Sequence, residues 1–114
     1  MKRLVLLVFL GLVAGQAQAA VAFMTGSKLL EYCENDVGRW GVCAGYVTGI
    51  HDITEERFEA GGIRDICMPY GEAGVNVRQL VLVAQKWLEE HPENLHYAAS
   101  GEVMLAFMDA FPRK

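Results

Sequence analysis

The stretch "NVRQLVLVAQKWLEEHP", residues 76–92, decides the fold class. Asn76 stands where a helix N-cap belongs, and Gln79 three residues later completes a capping box, in which each side chain serves the other's backbone N–H. Val77, Leu80, Val81, Ala84, Trp87 and Leu88 then recur at steps of three and four, the period of one helix face. Pro92 cannot continue the ladder of hydrogen bonds, so the helix ends at His91. A chain organised around such a segment builds its core from helices.

The neighbouring segments agree. Upstream, "IRDICMPYGEAG" (63–74) holds a proline and two glycines with no clear period and reads as an ordered loop. Before it, Trp40 to about Ala60 places Cys43, Tyr46, Val47, Ile50 and Ile53 on a helical stripe that Gly61 and Gly62 terminate. Earlier still, Thr25, Gly26 and Ser27 can cap a short helix to about residue 34, with Leu29, Leu30 and Cys33 on one side. Downstream, Asn94 or Ser100 can cap a last helix before Pro112. Ala98, Val103, Met104, Leu105, Phe107, Met108 and Phe111 cover more than half of its circumference, which implies deep burial or a second subunit. No run alternates with a period of two over a strand's length. The expected fold is all-α, a small bundle of four to five helices with at least one disulfide.

The start of the chain belongs to no helix of that bundle. "MKRLVLLVFLGLVAGQAQAA" has a basic beginning, a short apolar run and the small-residue pattern "AQA" at 17–19, the three parts of a secretory signal cut near Ala19. The apolar run is too short to span a bilayer of about 30 Å, so no stable membrane anchoring is expected after cleavage. Residues 20–114 then form one domain, since so short a chain has room for one modest core. Without Lys2 and Arg3, the 10 basic residues become eight against 14 acids, a formal charge of −6. That sign opposes nucleic acid as a partner and suits a basic protein surface.

Export makes a disulfide the default for cysteines. Cys33 and Cys43 lie at the end of one predicted helix and the start of the next, across a turn with Asn35, Asp36 and Gly38, so the pair Cys33–Cys43 is expected. Their spacing fits no zinc motif, and no metal or cofactor is expected. Cys67 is left over: free, joined to another chain, or the relic of a lost pair. As a nucleophile it lacks the setting, because Met68 and Pro69 follow it in a loop, and a buried or capped thiol is the preferred reading.

Nor do the other polar residues converge. His51 and Asp52 are adjacent on a helix and point about 100° apart, so they are not expected to act on one atom. His91 and His96 flank Pro92 and read as a helix C-terminal residue and a turn residue. Asp52, Glu55, Glu56 and Glu59 read as a solvated face. Gly41, Gly45 and Gly49, at intervals of four, each cost about 1 kcal/mol relative to alanine inside a helix. Close approach of another helix, within the fold or across a dimer, is the expected compensation.

Taken together, "FMTGSKLLEYCE", "VCAGYVTGIHD" and "ICMPYGEAGVNVRQLVLVAQKWLEEHPENLHYAASGEVMLAFMDAFP" resemble the Rap/Tai immunity family of type VI secretion systems. Its most specific marks here are the "TG-x-x-LL-x-x-C" opening, "C-x-GY-x-x-G", "C-x-P" and "HPE-x-x-H" leading to "AFP". The resemblance implies a periplasmic homodimer that binds and inhibits a peptidoglycan amidase effector, with no catalysis of its own. Relatives often carry a cysteine directly after the final "FP", where this chain has Arg113, which leaves Cys67 without that partner. Among the chain's own residues, the loop from about 64 to 74 is the expected contact, with Asp65, Tyr70 and Glu72 entering the effector's cleft. The alternative is a periplasmic helical stress or holdase protein without a dedicated toxin partner. Its acid switch would need titrating carboxylates or histidines at a subunit interface, and the three histidines do not cluster in sequence.

Overall fold

The computed structural model describes residues 22–34, 38–59, 65–69 and 74–113, with only the backbone for 56–59. The signal expected at 1–19 lies outside these residues, as do Tyr70 and Glu72. Four α-helices are described, α1 (Gly26–Glu34), α2 (Trp40–Glu59), α3 (Val77–Glu90) and α4 (Ala99–Ala110), with a 3-10 turn at Pro92–Asn94. Every α-helix packs on each of the other three, and no strand occurs among the described residues. The chain is an all-α bundle, as its periodicity predicts. No described helix is long and apolar enough to cross a membrane.

Helix α3 forms as its caps dictate. Gln79 N–H donates to Asn76 Oδ1 at 2.9 Å and Asn76 N–H donates to Gln79 Oε1 at 3.0 Å, so the capping box closes both ways. Leu80, Val81, Ala84 and Leu88 are buried, but Val77 is 44% exposed. Val77 is the first helical residue, at the open end of the element, and the predicted stripe begins one turn too early. Helix α1 is capped by Thr25, whose Oγ1 accepts from Lys28 N–H at 3.3 Å.

Helix α4 departs from the expected caps. Neither Asn94 nor Ser100 caps it: Asn94 lies in the 3-10 turn, Ser100 lies inside the helix, and the N-cap is Ala98 with no side-chain bond. Backbone does the work instead, through a bridge between Thr25 and Ala98 and a 2.9 Å bond from Ala99 N–H to Met24 O. The wide apolar face is only partly covered. Val103, Ala106 and Phe107 are buried, Met104 and Met108 are half-buried, and Leu105 is 40% exposed.

On α2 the stripe is also narrower than predicted. Cys43, Ala44 and Val47 reach the core, whereas Ile53 is 51% exposed and its neighbour Thr54 is buried in its place. Thr54 satisfies its hydroxyl by donating to Ile50 O at 2.8 Å, which lets a polar residue occupy a core position of the helix. The centre of the molecule is then Phe107, Leu29, Leu88, Val47, Val81 and Val103, one or two residues from each helix. Two isolated bridges, Thr25 with Ala98 and Ile66 with Pro112, tie the connecting segments to this core.

Candidate functional site

Among the described residues no group of three or more His, Cys, Asp or Glu side chains could hold a metal ion. His51 and Asp52 do meet, contrary to the helical-wheel expectation: Nδ1 lies 3.3 Å from Oδ1, because the imidazole swings over its neighbour. Nε2 of the same ring lies 3.9 Å from Glu55 Oε1. Glu55 is therefore half-buried against His51 rather than freely solvated, and the side chains of Glu56 and Glu59 lie outside the described residues. The contact is an exposed polar cluster on α2, where Asp52 is largely in solvent. His91 ends α3 as expected. Its Nδ1 is 2.7 Å from Trp87 O, and since a carbonyl only accepts, Nδ1 donates; its ring stacks on Trp87 with centroids 3.7 Å apart. His96 lies in the following turn beside Tyr97.

The sequence marks that carry the family resemblance pair mainly with one another. Cys33 and Cys43 form a disulfide with Cα atoms 5.1 Å apart, joining α1 to the first turn of α2. Arg39 adds a 2.8 Å ion pair to Glu31 over the same junction. The "TG" opening meets the "HPE-x-x-H" corner: Gly26 N–H donates to Tyr97 O at 2.9 Å and Ser27 N–H to Leu95 O at 2.8 Å. A Cβ on Gly26 would come within 3.1 Å of Leu88 Cδ2 and 3.3 Å of Leu95 Cα, so a larger residue here would force these neighbours to shift by a few tenths of an ångström. "ICMP" meets "AFP": Cys67 N–H donates to Phe111 O at 2.8 Å and Arg113 N–H to Asp65 O at 3.4 Å. These motifs build the scaffold, and sites of contact must be sought on the surface it presents.

That last pairing corrects the reading of the loop. Residues 65–69 are extended and alternate, with Ile66 and Met68 each 3% exposed while Asp65, Cys67 and Pro69 face outward. The alternation I-x-M was the signal that reading the segment as periodless missed. Cys67 is consequently exposed and free, not buried or capped at its thiol. Asp65, the one described member of the predicted effector contact, is exposed on the same edge. A groove of about 550 Å³ runs past Cys67, Pro69, Phe111 and Arg113, and a second of about 280 Å³ shares Pro69 and Phe111 and reaches Val75, just before α3, and Gln79 and Leu82 on it. The ends of the predicted binding loop thus stand on a grooved face with an apolar floor.

Gly41, Gly45 and Gly49 are the other predicted contact. A Cβ built on any of them meets nothing within 4 Å, so no described helix of the chain approaches them. The within-fold half of the expectation is not met. Val42, 45% exposed, and Ile53 lie with Gly45 and Gly49 along one outward strip of α2.

No curated protein and no solved structure matches the chain. A family model does match, over residues 25–112, which spans every motif joined above. The chain belongs to the Rap1a immunity proteins, and is accordingly a non-catalytic protein that acts against a secreted effector.

Proposed function

We propose that this protein is a periplasmic immunity protein that binds a type VI secretion peptidoglycan amidase and blocks its cleft, protecting the cell that makes it. The observation that carries this reading is the family match over residues 25–112. The signal-like composition of residues 1–19 supports export, and a disulfide between Cys33 and Cys43 suits an oxidising compartment. An excess of acids in residues 20–114 favours encounter with a basic cleft rim.

In this reading the loop over 64–74 enters the amidase, with Asp65, Tyr70 and Glu72 as its polar contacts. Asp65 is exposed at one foot of the loop, and the pairing of 65–67 with 111–113 fixes that foot to the core. The protein acts as a homodimer through the outward strip of α2. Val42 and Ile53 are placed nearly symmetrically about Gly45 and Gly49, so an antiparallel copy would set each valine near the partner's isoleucine and cross at the glycines. A holdase switched by acid is less supported, since His51, His91 and His96 occupy α2, the α3 cap and the turn after it.

Co-expression tests the reading. The exported form is produced in cells that receive, one at a time, amidases of the type VI classes in the periplasm. Survival with one of them supports immunity. Lysis with all of them, together with suppression of aggregation of an unfolded client at low pH, would give the holdase alternative its place.

A further inference from the structure

Leu82 divides the grooved face. On the side away from the loop lies a third groove, about 420 Å³, between the disulfide corner and α3, lined by Trp40, Glu34, Arg78, Leu82 and Gln85 among others. Its makings are unlike those of the core. Trp40 is 39% and Leu82 is 52% exposed, so neither is needed to close the bundle. Among the described residues Arg78 and Glu34 have no ion-pair partner and the Trp40 indole has no hydrogen bond, although other polar side chains nearby are engaged, Arg39 with Glu31 in an ion pair and the Gln85 amide with the Glu89 carboxylate. Exposed aromatic and guanidinium groups beside one rigid hollow are what a protein contact uses as anchors. The Cys33–Cys43 disulfide fixes one wall and α3 forms the other, so little ordering is lost when a partner docks.

We propose that this groove is a second contact for the effector, in addition to the 64–74 loop. The effector sets an apolar side chain between Trp40 and Leu82, a carboxylate on Arg78 and a basic side chain on Glu34. The unpaired charges of opposite sign at the groove specify this complement, and a footprint running from the disulfide corner over Leu82 to Pro69 joins the groove to the loop's foot. The assignment rests on the immunity reading above.

The test uses the full mature protein and a panel of recombinant type VI peptidoglycan amidases, with affinity measured by calorimetry and folding by thermal melts. Arg78→Glu and Leu82→Asp are compared with Asp65→Arg at the loop and with Leu105→Asp, an exposed residue of α4 outside the grooves. The groove variants are expected to weaken binding at least about tenfold with melts unchanged, and Leu105→Asp to stay within about twofold. If Arg78→Glu and Leu82→Asp bind within about twofold of the unsubstituted protein, the groove is not a contact, even where Asp65→Arg weakens binding. If the unsubstituted protein binds no amidase of the panel, the amidase reading itself fails and this assignment fails with it.

Discussion

Single residues show which parts of the chain a sequence can announce. The capping box at Asn76 and Gln79 is local, three residues apart, and its two bonds form as the letters predict. Gly26 gives no such sign, because the reason for it is a backbone far along the chain at Leu95. Gly26→Ala is expected to destabilise the protein by about 1–2 kcal/mol, since relieving the overpacked contact costs more than the helix gains from alanine; a urea midpoint measures it. Glu102 was equally silent in the sequence. It is 4% exposed, and its Oε2 accepts from Trp87 Nε1 at 2.9 Å, so it is a core residue in the first turn of α4, where the helix dipole favours an acid. Glu102→Ala leaves the indole N–H without this acceptor and should cost about 1–3 kcal/mol, whereas Glu102→Gln, which keeps an amide oxygen there, should cost less; the same denaturation series separates them.

At the scale of elements, periodicity located the helices and overstated their buried faces. The existence of α2, α3 and α4 followed from steps of three and four, but Ile53, Val77 and Leu105 are exposed because each lies where no neighbouring helix covers it. A period of two over a few residues is a weak signal, and Ile66 and Met68 entered the core unnoticed for that reason. The disulfide was legible because the two cysteines bracket one turn. Helix α2 poses the sharper question, since Gly45 and Gly49 weaken it and nothing in the described chain touches the place where their side chains would be. If the strip meets a second copy, Gly45→Ala with Gly49→Ala should raise the stability of the monomer by up to about 2 kcal/mol while weakening the dimer. Light scattering across a dilution series and denaturation at the lowest concentration read the two effects apart. A dimer unchanged by the pair of substitutions would move the interface elsewhere.

For the whole molecule, the family's marks knit α1, the Pro92 corner, the 65–69 segment and the chain's end into one support, with the grooved face left open. Membership was readable because these motifs are short and their spacing is set by that knitting. The grooves were not, since they are assembled from α1, α2, α3 and the final residues, which are distant in sequence. Under the proposed function, protection would be a matter of occupancy, the protein remaining on the effector's cleft while the chemistry is the effector's. Titrating the mature protein into a type VI amidase while following cleavage of peptidoglycan tests this most directly. Hydrolysis should fall to zero in step with complex formation, whereas full hydrolysis in the presence of saturating protein, with no complex formed by any amidase class, would contradict the account.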